Sequence, residues 1–409
     1  MPSPAPTSKA RPMFWRVAAP PTYTGSVRTR LALAVLLGGC SVLDPSLLPE
    51  GDAGPAVDAP PAEDAPSAPD SGGSGAVCMG TPSRTPPARP AGEDADGPEV
   101  VFALKEVLLN QRAEWQNIGF DLDGLCSEPP VPMIECEPPN APDVSPLLDG
   151  NAGIDNAFGG ELFPTIELVF PELDTTAAES AEVGVGAVIL WLRGWNGTAN
   201  DPRVDVTLSQ SVTGTSGTAE QTEAPEAEIG EDYLPYAPGT MDQLPEPAWD
   251  GNDWLWLREE TFFMGALDRP RVRDDNAYVA DGQLVLRLPD RVEIVFAGDG
   301  RGIRVKLSDA VAVGTFNEDL TRLEPVTFGG RWSIIDLLDT ASSIGVCPGD
   351  TEFTILQNAL NNIADIRATP GTGGAGVTCD ALSVGVTFQG YRARVAGLTP
   401  GQPLPNQCE

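Results

Sequence analysis

The stretch QLVLRLPDRVEIVF (283–296) decides the fold class. Leu284, Leu286 and Leu288 fall on alternate positions facing one way, Pro289-Asp290 is a turn pair, and Val292, Ile294 and Phe296 resume the alternation. AGDGRG (297–302) offers a second turn, after which Ile303, Val305 and Leu307 interleave with Arg304, Lys306 and Ser308. Side chains on a strand point to opposite faces in turn, so this spacing predicts a β-meander with one buried face. The same alternation marks GAVILWLRG (186–194), RVDVTLS (203–209) and LSVGVTFQGYRARVAGL (382–398). Many strands joined by Gly, Pro and Asp predict a mainly β (α+β) body, an antiparallel β-sandwich-like arrangement with a few helices.

Helical spacing is rarer. FTILQNALNNIADI (353–366) puts Phe353, Leu356, Leu360 and Ile363 on one stripe, with Asp350 or Thr351 placed to cap it. A second helix is expected from about Asn156 through ELFPTIELVF, where Pro164 blurs the boundary. Residues 99–115 fit strand or helix equally well.

The 409 residues carry 59 acidic and 25 basic side chains, a net charge of −34, and no histidine. Such a surface repels phosphate backbones, which argues against nucleic acid as a partner. The missing imidazole excludes Ser-His-Asp and Cys-His catalysis and HExxH zinc sites. Chemistry must rest on carboxylates, hydroxyls or oxygen-bound cations, and hard divalent ions suit this charge.

Charge is unevenly spread. Residues 1–39 hold Lys9, Arg11, Arg16, Arg28 and Arg30 and no acid. Arg28 and Arg30 precede the apolar run Leu31 to Leu37, which is far shorter than the ~20 residues a spanning helix needs. Gly38-Gly39 then supplies small residues immediately before Cys40. Leu37-Gly38-Gly39-Cys40 resembles the lipobox of bacterial lipoproteins. That resemblance implies a signal peptide over 1–39, acylation (palmitate or a similar chain) of Cys40, and anchoring to a membrane of the cell envelope. With Ser41 rather than Asp following, it implies the outer membrane. Residues 40–98, rich in Pro, Ala and Asp as in GDAGPAVDAPPAEDAPSAPDSGGSG (51–75), read as a lipid-anchored disordered linker. The folded body is then expected over 99–409. Its segments around 119–126 and 149–160 also resemble predicted surface lipoproteins of uncharacterised activity, so that likeness implies no chemistry.

Besides Cys40 there are six cysteines: Cys78, Cys126, Cys136, Cys347, Cys379 and Cys408. An even number in an exported chain predicts three disulfides, with fifteen pairings open. Cys126–Cys136 would bracket a proline-rich loop and Cys347–Cys379 would clamp the 353–366 helix against the final strands, leaving Cys78–Cys408 to tie the ends together.

Two stretches carry candidate ligands. GFDLDGLC (119–126) places Asp121 and Asp123 two apart beside Gly124, and DGNAGIDNAFGG (149–160) adds Asp149, Asn151 and Asp155. Hard cations such as Ca2+ take six to eight oxygen ligands, which makes this a candidate calcium site. The spacing of an EF-hand loop is absent, and Asx turns or a helix cap at Asp155 or Asn156 would explain the same residues. AWDGNDWLWLREE (248–260) concentrates Trp249, Trp254 and Trp256, a platform for a glycan partner if exposed and core packing if buried. Glu259, Asp274 and Asp275 are the acids available to a carboxylate-dependent carbohydrate-active hydrolase. The sequence favours a non-catalytic structural or ligand-binding module of the envelope, bound to glycan or an envelope protein, over that hydrolase.

Overall fold

In the computed structural model, the alternating leucines of the opening stretch lie where their spacing puts them. Leu284 and Leu286 enter the main core and Val285 faces a separate cluster on the opposite side. The structure describes residues 77–408 except 79–80, 93–96, 129–131, 142, 170–172, 226–244, 290, 299–300 and 402–406. The lipobox, Cys40 and most of the expected linker therefore lie outside the described residues.

The strands are β1 (Val77–Cys78), β2 (Thr81–Pro82), β3 (Val100–Leu108), β4 (Val188–Arg193), β5 (Asp201–Thr215), β6 (Trp254–Arg258), β7 (Val272–Ala280), β8 (Gln283–Arg287), β9 (Val292–Gly298), β10 (Arg301–Phe316), β11 (Arg322–Ser333) and β12 (Ala381–Thr399). The helices are α1 (Phe163–Val169), α2 (Leu173–Glu182), α3 (Ile334–Ser343) and α4 (Thr351–Ile363).

The body is mainly β, but it is a barrel rather than the expected sandwich. Strands pair in the order β11-β10-β8-β7-β5-β4-β3-β12, and β12 pairs back onto β11, closing eight antiparallel strands into a ring. Period-2 alternation is common to both architectures; only the pairing of the last strand with β3 on one side and β11 on the other distinguishes them. The expected meander is also altered. β8 and β9 do not pair with each other; both pair with the long β10, β9 along 301–307 and β8 along 311–315, on either side of an irregularity between Ser308 and Val311.

The barrel interior is filled. Phe102, Leu104, Leu190, Val206, Leu284, Ala312, Phe328 and Val384 meet in one cluster. The outward residues of β3 and β4, Ala103 and Ile189, join Leu255, Leu257 and Trp249 in a second, smaller one. It forms because β6 bridges β12, in parallel, and β5, in antiparallel fashion. Strands β3 and β4 thus bury both faces, which is why 186–194 reads as a near-continuous apolar run. Helix α4 carries the expected stripe, with Leu360 buried and Leu356 and Ile363 packed on the core. Residues 100–108 resolve as strand, and the expected helix after Asn156 is a turn of π-helix, Phe158–Leu162, running into α1. Among the described residues no helix is long and apolar enough to cross a membrane.

Two further expectations are corrected. Chain packing begins before the boundary at residue 99. Cys78 and Ser83 are buried, the backbone of Arg84 bonds with Ala152 and Asp121, and Tyr278 Oη donates to Pro87 O at 2.6 Å. Residues 81–90 thus form a strap over the outside of the barrel, where proline supplies an extended backbone with few donors to satisfy. The disulfide pairing differs as well. The bonds are Cys78–Cys126, Cys136–Cys379 and Cys347–Cys408, with Cα separations of 5.6, 5.1 and 5.3 Å. Cys126–Cys136, Cys347–Cys379 and Cys78–Cys408 are not formed. Cys136 bonds to Cys379 rather than to nearby Cys126, because the barrel brings the loops after β3 and before β12 together.

Non-reducing peptide mapping should recover these three pairs. In the chain-entropy account a loop of 243 residues is worth about 5 kcal/mol, and loops of 48 and 61 residues about 4 kcal/mol each. Removing Cys136 and Cys379 together should therefore lower stability in denaturant titration by more than removing either other pair.

Candidate functional site

Strand β12 runs past the end of its neighbour. The β3–β12 ladder stops at Leu108 opposite Thr387, leaving the β12 backbone from 383 to 385 without a strand partner on that side. Side chains take the place of the strand. Gly385 N donates to Asn156 Oδ1 (2.9 Å), Gln111 Nε2 donates to Gly385 O (2.8 Å), and Ser383 N donates to Asp365 Oδ1 (2.9 Å). Asn156 Nδ2 reaches Gln111 Oε1 and Ile118 O, so every polar atom of this buried amide is used. Gly385 is obligatory here: a Cβ would lie 2.3 Å from Ile118 O. The loops at 111–127 and 149–160 are thereby pressed onto the barrel wall, and Asp365 is held beside them.

This clamp collects acids. Phe120 and Asp155 form an isolated antiparallel bridge, which sets Asp155 against the turn Asp121-Leu122-Asp123-Gly124. Gly124, at φ +76°, lets that turn reverse so that both aspartates lie on its inner side. Each carboxylate is oriented by a backbone amide: Leu122 N donates to Asp155 Oδ2, Gly124 N to Asp121 Oδ1 and Leu125 N to Asp123 Oδ1, all at 2.7 Å, and Ser127 N to Asp149 Oδ2 at 2.6 Å. One oxygen from each of Asp121, Asp123 and Asp155 lies within 4.8 Å of the others. Asp121 is only 9% exposed, and its Oδ2 has no hydrogen-bond partner. Ser83 lies close enough to draw its pKa down, yet Ser83 Oγ and Asp121 Oδ2 form no well-aligned bond.

The electrostatic cost is visible in every member. Burial pushes Asp123 up to about 7, aided by the charges of Asp149, Asp121 and Glu135 and opposed by the Leu125 amide. Burial likewise raises Asp149 to about 6, with Asp365 and Asp121 adding to the shift. Asp365 reaches about 7 through burial and the charge of Asp123, against the bonds from Ser383. Asp155, the most enclosed, is held well above the usual carboxylate range by burial and then by Asp123, Asp149 and Asp365. Burial raises Asp121 too.

A cavity of about 530 Å³ adjoins the cluster. Asp123, Asp149, Asp155 and Asp365 stand in its wall, together with Trp115 and Leu147. On the far side of the 122–135 segment, Arg331 is almost fully buried, 2.8 Å from Glu135, and donates to Leu122 O and Arg367 O. This paired guanidinium fixes the outer face of the acid-bearing turn.

Four of the five sequence candidates come together here. Asn151 does not: it is exposed, and its amide donates to Asn117 Oδ1 at 2.8 Å. Asp365 was not among the candidates, since it lies 210 residues from Asp155 and follows a helix with no spacing signal of its own. The tryptophan platform is corrected. Trp249, Trp254 and Trp256 are 6–7% exposed, Trp249 packing in the small cluster with its Nε1 donating to Glu182 O. Of the hydrolase acids, Asp274 accepts from Asn276 N and Arg287 N, and Glu259 lies in a separate turn after β6. In comparisons with protein families, curated proteins and solved structures, the chain finds no match.

Carboxyls raised in the folded state bind protons that the unfolded chain, near 3.8, releases. Between those values the folded form holds more protons, so stability rises as pH falls. Cation-free protein should melt at progressively higher temperature as pH drops from 8 towards 5, and Asp123→Asn should flatten that slope. An unchanged slope in the variant would place the titration elsewhere.

Proposed function

We propose that this chain is a lipid-anchored protein of the bacterial cell envelope, held at the outer membrane through Cys40, whose barrel is a non-catalytic module that binds a divalent cation, calcium foremost. The observation that carries the cation reading is the convergence of Asp121, Asp123 and Asp155 with Asp121 Oδ2 buried and unpartnered. Two oxygens up to about 4.8 Å apart can share a calcium ion at about 2.4 Å from each, and every pair among the three carboxylates meets that limit. It would relieve repulsion that otherwise forces protons onto these groups.

Three disulfides support an oxidising, extracytoplasmic setting. The anchor rests on the lipobox-like sequence at Cys40. The geometry favours a module over the hydrolase. A glycosidase keeps its two carboxyls about 5–9.5 Å apart and leaves one free to move a proton. Here three crowd one point, each fixed by an amide N–H.

Calcium binds the folded state and hardly the unfolded chain, so at about 100-fold excess over the dissociation constant it should add roughly 2.7 kcal/mol, read as a rise in melting temperature. Asp123→Asn should abolish most of that rise, while Asp319→Asn, in an exposed turn, should keep it. An equal response in both variants would reduce the effect to general attraction by net charge.

Cys40→Ser should move the protein from the membrane to the soluble fraction, because each buried methylene of an acyl chain contributes about 0.8 kcal/mol to anchoring. Retention in the membrane, with no acyl mass on the wild-type residue, would sink the anchor.

A further inference from the structure

The cavity beside the cation cluster asks for a ligand of definite chemistry, an inference that rests on the cation reading. Asp123 and Asp155 belong to the cavity lining, whereas Asp121, the third member of the cluster, does not. An ion among the three would be covered by protein on one side and open to the cavity on the other. Three carboxylates do not fill a calcium sphere of six to eight oxygens. The remaining positions face a space of about 530 Å³, within the range of small-molecule sites.

Charge and hydrogen bonding narrow what can enter. Asp121, Asp123, Asp149, Asp155 and Asp365 bring five carboxylates, and one divalent ion cannot neutralise them all. The cavity stays negative and disfavours an anion. An organic cation would compete with the metal for the same oxygens. With the ion bound and these groups ionised, the carboxylates accept hydrogen bonds and do not donate them. The complementary group is a hydroxyl, whose lone pair can ligate the ion while its proton goes to Asp149 or Asp365. The same lining includes the apolar side chains of Trp115, Pro146, Leu147 and Leu148. Trp115 is held there by Gly160, where a Cβ would sit 3.3 Å from the indole. Such a wall suits the C–H face of a sugar ring.

We infer that the cavity binds a neutral polyhydroxylated ligand, a sugar, with adjacent hydroxyls bridged to the wall by the cation. The sugar site expected at Trp249, Trp254 and Trp256 thus gives way to an ion-bridged cavity lined by Trp115.

The test uses the full chain purified in detergent and stripped with EDTA. Calcium uptake is first measured by calorimetry. Mannose, galactose and N-acetylglucosamine are then offered one at a time, with calcium and with EDTA, and contact is read by saturation-transfer NMR. At least one sugar should receive transfer with calcium and lose it with EDTA. Trp115→Ala should lose the transfer as well, and Leu148→Asp, at a residue 46% exposed, should lose it without disturbing the core. Calcium uptake with no transfer to any sugar would overturn the sugar inference and leave the cation reading standing. No calcium uptake would remove both. Transfer that is equal with calcium and with EDTA would overturn the bridging role of the ion.

Discussion

The backbone of Ser383 to Gly385 must find hydrogen bonds after β3 has ended, and the site depends on how it does so. A buried strand edge left unpaired would be costly, so each N–H and C=O needs a partner. Asn156, Gln111 and Asp365 provide them from three remote segments. Satisfying the edge therefore fixes those segments against the barrel and against one another. Asp155 is the neighbour of Asn156, the Asp121–Asp123 turn follows the loop that Gln111 opens, and Asp365 is itself one of the clamps. The acids converge because the residues that close the sheet edge are beside them in sequence or are the acids themselves.

That arrangement runs against electrostatics. Burying several carboxylates together raises the free energy of their charged forms, and the elevated pKa values of Asp123, Asp149 and Asp365 record it. The amides that orient them offset part of the cost, as does the covalent frame of Cys78–Cys126 and Cys136–Cys379, which flank the same loops. Arg331 serves a different purpose: paired with Glu135 and bonded to two carbonyls, it braces the turn from outside without entering the cluster. Places where a protein departs from local energetic preference in this way concentrate at functional sites.

Much of this was legible in sequence, and the parts that were not share a cause. Alternation at 283–307 located strands and buried faces because side-chain direction is a local property. It could not say that β12 returns to both β3 and β11, so barrel and sandwich looked alike. Cysteine pairing failed for the same reason: Cys136 and Cys379 are adjacent only after the ring has closed. Asp121, Asp123, Asp149 and Asp155 were legible as a group because two short loops hold them all. Asp365 and Arg331 were not, since their partners are set by strand register rather than by spacing. Trp254 and Trp256 misled because β6 lies across both β5 and β12, which buries positions that a simple two-faced strand would have exposed.

The connectivity of Cys136–Cys379 has a consequence for how the ring re-forms when the oxidised chain refolds. The covalent loop it closes contains β4 to β11, while β3 lies just before one end and β12 just after the other. Those two strands are neighbours in the barrel, although nearly 290 residues of chain separate Leu104 from its partner Gly390. Measured along the chain this pairing is among the most distant in the molecule. Measured through the sulfur bridge, the path from Leu104 to Gly390 is only a few dozen residues. The entropy of bringing the ends together is borne by the bridge. The effective contact order of the oxidised chain is accordingly far lower than its topology suggests, and the slowest search in closing a barrel becomes a local one.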